Sequence, residues 1–561
     1  MKKTLILFFF SIISLSIFSQ SNANCFRIYL SDKNNSPYSI SNPTEYLSER
    51  AILKRERFHI SITTEDLPVN NSYIQQIKNL SNSIQLLSQS KWANTITIYC
   101  PDTSYLATIR NLPFVISVLP VANYALSRGE PFRVAEIAEN QSSSMLEVQD
   151  STFAYDYGYA FSQIAIHKGQ YLHSNGFQGD SMLIAVLDAG FNNFDSISYF
   201  QSLYANGQIW GTRDLIPGVN NVYEGHYHGT SVTSIMATDY EGIMVGTAPR
   251  ANYYLIRPEN PWSEELIEED FWAQAAEIAD SIGADVINSS LGYTEFIDFP
   301  EAVRSYAQSN GISSIASLAA TKAGQKGIIV CASAGNEAAN AWHYIGRPAD
   351  AINILAVGAV DADSLYAPFS SVGPSYDGRV KPDITSLGWN TFVVYMQDYL
   401  DYGSGTSFSS PVIAGLAACL WQALPQKSAS DIMQIIRESG HLYNNPDIYM
   451  GYGIPDFYQA YLDNPDTIPV IDTNSIKQPI LKDDKIVVFP NPCQGIFKII
   501  LTDFDIETIE LYDVSGRMVK QIYPSNELIN TVNIEELTSG IYFGKAKTKK
   551  GYRHFKIIKK S

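Results

Sequence analysis

Three short segments carry residues that could act together on a carbonyl group. In Ala185-Val-Leu-Asp-Ala-Gly190 an apolar run ends in a carboxylate, Asp188. In His228-Gly-Thr-Ser231 an imidazole opens a helical run over 232–237. In Gly403-Ser-Gly-Thr-Ser407-Phe-Ser-Ser-Pro411 a serine precedes a long apolar run. A serine hydroxyl is a weak nucleophile until a base takes its proton, and the base needs an acid to orient it. Asp188, His228 and Ser407 supply one of each, and acyl transfer is the chemistry they could share. Each also has an ordinary structural role: Asp188 as a turn or cap, His228 as a buried imidazole, Ser407 as an N-cap among Ser404, Ser409 and Ser410. His226 is the rival imidazole and reads as a loop residue. A fourth segment, Cys331-Ala-Ser-Ala-Gly-Asn336, follows another apolar strand. The Asn336 side-chain amide and the backbone N–H of Ser407 would give a developing oxyanion two donors. The chain order, acid then base then nucleophile, separates this set from two other triad arrangements, and the sequence contains no G-x-S-x-G nucleophile elbow.

Positioning these residues falls to a region, 155–465, where apolar strands alternate with helices. Leu183–Leu187, 253–256, Val286–Ser289, 328–332 and 354–357 read as strands, and 265–282 as a helix. This pattern predicts an α/β fold with a mainly parallel sheet flanked by helices. In such sheets functional side chains gather at the carboxyl ends of strands, where Asp188 falls. Pro411 fits the first turn of a helix. Residues 412–424 are apolar almost all round, so that helix is buried. It is too short to cross a bilayer, which takes ~20 residues. A serine at its start lies where N–H groups and the helix dipole favour negative charge.

Residues 24–127 predict a small α+β domain: Thr95–Tyr99 and 114–121 read as strands, 105–112 as a helix. A polar linker follows at 128–154. A second linker, 466–484, is rich in Pro, Asp, Asn and Thr. Residues 485–561 read as a small β-sandwich, with Phe497, Ile499 and Leu501 alternating, Ile509 and Leu511 likewise, and turns at 490–492, 514–516 and 539–540. Residues 1–23 run from Lys2 and Lys3 through an apolar stretch at 5–18 to small polar residues, the order of a secretory signal peptide. The stretch is short for a membrane anchor, and the residues before Cys25 fit a lipid-attachment site poorly.

At 561 residues and 45% hydrophobic, the chain can bury the cores of several domains. Its charge of −18, from 39 basic and 57 acidic residues, offers no basic face for nucleic acid. Five cysteines are too scattered for a disulfide framework, and Cys331 and Cys419, in apolar runs, read as buried free thiols.

With these residues assembled, the chain resembles the subtilase family of serine proteases. The family's Asp-Gly strand end is met at Asp188, His-Gly-Thr at His228, Gly-Asn at Asn336 and Gly-Thr-Ser-x-Ser-x-Pro at Ser407. Gly246-Thr-Ala-Pro249, Asn288-Ser-Ser-Leu-Gly292, Phe369-Ser-Ser-Val-Gly-Pro374, Lys381-Pro-Asp383 and Gly451-Tyr-Gly453 support it. The resemblance implies a subtilisin-like fold and peptide-bond hydrolysis through an acyl-enzyme, with Asp188, His228 and Ser407 as triad and Asn336 at the oxyanion. It implies substrate contacts from Ser290, Leu291, Gly292, Ser333, Ala334 and Gly335. It implies no cofactor for the chemistry; structural calcium is common in the family, but no ligands are assignable. Two positions depart from the pattern: Ala189 replaces a hydroxyl residue after the acid, and Tyr293 alters the substrate-binding strand.

Residues 24–127 are similar to subtilase propeptides. The block 485–561, with Phe489-Pro-Asn-Pro492, Leu511-Tyr-Asp-Val-Ser-Gly516 and Leu537-Thr-Ser-Gly-Ile-Tyr542, resembles the sorting domain of type IX secretion. The implied partners are protein or peptide substrates and the type IX machinery, with no nucleic acid and no membrane span in the mature protein. The implied location is outside a Gram-negative bacterium, secreted or at its surface, reached through the periplasm. Competing readings are an inactive subtilase-like binding module, a secreted esterase on the same triad, and an accessory surface-binding sandwich for the last block.

Overall fold

The computed structural model describes residues 23–123, 153–218, 220–464, 486–489, 493, 495–501, 506–513, 517–523, 529–548 and 551–560. All but the last residue of the expected signal peptide, nearly all of both expected linkers, and the turns at 490–492 and 514–516 lie outside the described residues. The chain divides into two compact units, 1–466 and 467–561.

The first unit opens with four strands, β1 (Cys25–Leu30), β2 (Gln85–Ser90), β3 (Thr95–Tyr99) and β4 (Val115–Ala122), in the antiparallel order β2-β3-β1-β4. Helices α1 (Glu49–Arg57), α2 (Asn71–Lys78) and α3 (Tyr105–Arg110) lie between them. On β3 Thr95, Ile96, Thr97 and Ile98 are all buried, so both faces of the sheet are covered. The isoleucine face joins a hydrophobic core, while Thr97 on the other face bonds Asp270.

Seven strands then form a parallel sheet: β5 (Leu183–Leu187), β6 (Ile209–Asp214), β7 (Asn252–Arg257), β8 (Val286–Ser289), β9 (Ile329–Ser333), β10 (Leu355–Val360) and β11 (Ile384–Leu387). Their order is β11-β10-β9-β8-β5-β7-β6, parallel throughout. Helices α4 (His228–Ala237), α5 (Glu268–Ile282), α6 (Ile315–Gln325), α7 (Thr406–Ala423) and α8 (Ala429–Glu438) flank it. From β5 the chain goes out to the edge strand β6, returns to β7 beside β5, then crosses to β8. The strand order therefore reverses between β5 and β8, where an α/β sheet opens a crevice at its carboxyl edge.

Among the boundaries that differ from the sequence reading, two have a clear physical reason. Helix α5 starts at Glu268, not 265, because the preceding residues turn to meet Asp298: Glu264 N donates to its Oδ2 at 2.8 Å. Helix α7 starts at Thr406, so Pro411 lies inside it and Ser407 within its first turn, rather than capping it. Proline is tolerated there because the N–H it lacks would have bonded the Ser407 carbonyl. That carbonyl instead accepts the Ser290 hydroxyl at 2.8 Å.

Helix α5 packs under the N-terminal sheet through a polar face. Asp270, Gln274, Glu277 and Ser281, spaced at helical intervals, all meet that sheet. Arg27 Nε donates to Asp270 Oδ1 at 2.7 Å, and Arg55 bridges Asp66 and Asp280. Glu277 accepts from Lys91 N at 2.7 Å and Trp92 N at 2.9 Å.

The second unit holds strands β12 (Ile486–Phe489), β13 (Ile496–Leu501), β14 (Ile506–Tyr512), β15 (Met518–Ile522), β16 (Ile529–Asn533), β17 (Gly540–Thr548) and β18 (Gly551–Lys559). They form two antiparallel sheets, β12-β13-β16 and β15-β14-β17-β18. Phe497, Ile499, Ile509 and Leu511 fill the core between them, as their alternation requires. All five cysteines are buried. Among the described residues no helix is long and apolar enough to cross a membrane.

Candidate active site

Asp188 is the residue after β5. Its N–H donates to Ile256 O at 3.1 Å, prolonging the pairing with β7, and it is fully buried. Its Oδ1 accepts Ala189 N at 2.8 Å and meets His228 Nδ1 at 2.7 Å. Oδ2 is buried with no hydrogen-bond partner among the described residues.

His228 begins α4, 2% exposed. Gly229 lets it approach: a Cβ there would sit 2.4 Å from Gly190 O, which instead accepts the Gly229 N–H at 3.0 Å. With Nδ1 held by a carboxylate, the imidazole keeps Nε2 for other work. His226 stays in the loop, as expected, but has a task the sequence did not reveal. Its Nδ1 accepts the His228 N–H at 3.1 Å, satisfying one of the helix's first donors. Burial, then the field of His228, pulls its pKa down to about 4, so it is a neutral acceptor at pH 7.

Ser407, 8% exposed, lies in the first turn of α7. The ring of the next residue, Phe408, is 6.1 Å from the His228 ring, which places the imidazole beside this helix end. Ser407 Oγ donates to Ser290 O at 3.3 Å. Handing a proton to His228 therefore requires the hydroxyl to reorient, and such bonds commonly tighten only when substrate binds. Its backbone N–H is among the first four of the helix, which have no intrahelical acceptor.

Asn336 follows β9. Its Oδ1 accepts Thr406 N at 2.9 Å and Thr406 Oγ1 at 3.0 Å, so the amide has only N–H donors left to offer a ligand. Ser290, Leu291 and Gly292 continue β8, with the first two buried and Gly292 exposed. Ser333 ends the neighbouring β9, and Ala334 and Gly335 follow it. Ala334 is tied to Val357 O and Gly346 N, and Gly335 adopts φ +109 with its N–H on Thr406 Oγ1. The ends of β5, β8 and β9 and the starts of α4 and α7 thus bring all the sequence candidates to one edge of the sheet. Among the described residues no three His, Cys, Asp or Glu side chains converge to hold a metal, so no calcium ligands are assigned.

Comparison with known proteins finds three matching regions. Residues 179–453 match the subtilase family (peptidase S8), 25–133 the peptidase S8 propeptide domain of Bacteroidota, and 487–560 a secretion system C-terminal sorting domain. Subtilisin NAT of Bacillus subtilis subsp. natto is 28% identical over 321 residues, spanning 55% of this chain and 74% of the relative. Subtilisin DY of Bacillus licheniformis is 28% identical over 271 residues, or 48% of this chain and 87% of the relative. Subtilisin BL of Lederbergia lenta is 27% identical over 278 residues, 49% and 90% respectively. The chain thus carries a subtilase domain, the domain of a serine endopeptidase, with a peptidase S8 propeptide domain before it and a secretion system sorting domain after it.

Proposed function

We propose that the chain is a secreted endopeptidase that hydrolyses peptide bonds with Asp188, His228 and Ser407 as its triad. The observation that carries this reading is the buried 2.7 Å bond between Asp188 and His228, set against the N-terminus of α7 that bears Ser407. Ser407 Oγ attacks the scissile carbonyl while its proton passes to His228 Nε2. Asp188 holds the ring and stabilises the imidazolium that forms. The oxyanion lies between Asn336 Nδ2 and Ser407 N. His228 then returns the proton to the leaving amine, and a water repeats the sequence on the acyl-enzyme. Ser290, Leu291 and Gly292 on one side, and Ser333, Ala334 and Gly335 on the other, line the bound peptide. The chemistry needs no cofactor.

In this reading, residues 24–127 assist folding and inhibit until they are cut away. The last block directs export through type IX machinery from the periplasm, leaving the enzyme outside the cell. A fluorophosphonate probe on the purified enzyme tests the central point. Labelling of Ser407 together with peptide cleavage supports it. No labelling leaves an inactive binding module, and cleavage of esters alone leaves an esterase.

A further inference from the structure

Strands β6 and β7 end on an ion pair buried beside the site. Asp214, the last residue of β6, lies across from Arg257, the last of β7, and their side chains are 2% and 0% exposed. Arg257 Nε donates to Asp214 Oδ1 at 3.1 Å, and Nη2 lies 2.9 Å from Oδ2. Asp214 Oδ1 also accepts the Ile216 N–H at 3.0 Å, so the carboxylate is fixed in turn. A buried pair of this kind often adds no stability over apolar side chains of the same volume, because desolvation offsets the attraction. Its place in the molecule gives it another task.

A guanidinium is a planar fork with donors on more than one edge. One edge of Arg257 faces Asp214; from another, Nη1 donates to Glu224 O at 3.0 Å. Glu224 opens the short run Gly225-His226-Tyr227 that leads into His228. Gly225 has φ +91, and a Cβ on it would lie 2.6 Å from Arg257 Nη1, so this turn rests directly on the guanidinium. The same turn is bonded to the loop after Asp188. Asn192 N donates to His226 O at 3.3 Å, Asn192 Nδ2 to Gly225 O at 3.2 Å, and Phe191 N to Val222 O at 2.8 Å. Those bonds join one loop to another, whereas Arg257 belongs to the sheet. The residue before it, Ile256, accepts the Asp188 N–H at 3.1 Å. Arg257 therefore ties the strands that carry the acid to the turn that delivers the base.

We propose that Arg257, anchored by Asp214, is a positioning residue for His228: it supports the Glu224–Tyr227 turn from the sheet and so fixes where the imidazole meets Ser407. This rests on the endopeptidase reading above. Taking the Ser407 proton needs the imidazole within hydrogen-bond reach, and a misplacement of ~1 Å costs about 100-fold in rate. Arg257 is fully buried beneath the turn, out of reach of a substrate, so its loss should act on kcat and leave KM nearly unchanged.

The test uses the purified secreted enzyme. The double variant Asp214→Asn/Arg257→Gln removes both charges together, so no unpaired charge is left buried. The amplitude of urea unfolding counts the folded molecules, and kcat, KM and the rate of fluorophosphonate labelling are taken per folded molecule. In the double variant kcat should fall by roughly 10–100-fold with KM within about twofold, and labelling of Ser407 should slow in step, because it needs the same base. Arg257→Lys keeps a cation beside Asp214 without the fork, and its kcat should lie between those of the double variant and the wild type. Should the double variant not fold, Asp214→Asn takes its place: an amide oxygen still faces the guanidinium, and a smaller fall of roughly 3–10-fold is expected. An unchanged kcat per folded molecule, however much stability is lost, makes the pair a structural one and overturns the proposal. A rise in KM at constant kcat, or an Arg257→Lys enzyme no faster than the double variant, overturns it too. If the wild type neither labels nor cuts peptides, the endopeptidase reading falls and this role with it. Wild-type labelling and cleavage with no loss of kcat in the variants sinks the role alone.

Discussion

Asp188, His228, Ser407 and Asn336 contribute one atom or two each, and their substitutions should separate cleanly. Ser407→Ala should abolish peptide turnover, while the unfolding free energy shifts by no more than about 1 kcal/mol, since the hydroxyl makes one long bond. Residual hydrolysis near the wild-type rate would remove Ser407 from the mechanism. Asn336→Ala should lower kcat by about 10²–10³ with little change in KM, the size of loss measured for the corresponding amide in a subtilisin. A change confined to KM would make Asn336 a substrate ligand instead. These residues were legible because each motif narrows the chemistry of the others. Ala189 was legible in the same way, as an absent hydroxyl. The turn of the Glu264 segment onto Asp298 was not legible, because nothing local in the sequence pairs the two.

At the scale of elements, hydrophobic runs located the buried strands well: Leu183–Leu187 and Val286–Ser289 have the bounds their sequence suggests. Parallel strands buried on both faces read as continuous apolar stretches. The start of α7 was misread for an equally physical reason. Proline usually marks a first helical turn, and nothing local in the sequence shows that Ser290, more than a hundred residues away, takes over the carbonyl that Pro411 leaves free. This exchange can be measured. Ser290→Ala should destabilise the protein by about 1–3 kcal/mol, the cost of orphaning a buried carbonyl. Pro411→Ala supplies the missing N–H, so in the double variant most of that loss should return. Additive losses in denaturant unfolding would refute the account. Helix α4 offers a pH test. His226 accepts the His228 N–H only while neutral, and its pKa falls from the ordinary 6.5 to about 4 on folding. A depressed histidine contributes stability that is present above 6.5 and is lost as pH falls toward 4. His226→Asn, which keeps an acceptor without a titration, should flatten this part of the stability–pH curve; an unchanged slope would place the proton elsewhere.

The molecule as a whole joins parts with separate work, and the sequence showed the joins as changes of texture more clearly than what crosses them. The contact between the N-terminal domain and α5 includes a buried ionic cluster: Arg55 and Lys91 converge on Asp280, where burial alone would raise the carboxyl but the two cations hold it at about 2. Asp280→Asn leaves buried Lys91 without its ion-pair partner and Arg55 with Asp66 alone, a change worth about 3–5 kcal/mol. After processing, the wild-type 24–127 segment should co-purify with the protease, and the variant's should not. Retention of both would mean that apolar packing holds the domain. The C-terminal block poses the larger question. It has its own core in Phe497, Ile499, Ile509 and Leu511, and it forms a compact unit apart from residues 1–466. The first unit closes without it: Thr385 N donates to Gly453 O at 3.0 Å, and a Cβ on Gly451 would fall 1.9 Å from Pro382 O, so this turn is packed against the end of the sheet. A signal peptide carries a chain across one membrane only, so leaving a Gram-negative cell needs a second address. Removing 485–561 should therefore leave a folded, active protease that stays in the periplasm, which activity assays on fractionated cells would detect. Wild-type activity in the medium would make the block an accessory binding domain. Degraded protein with no activity in any fraction would make it part of the catalytic fold, against the division at 466.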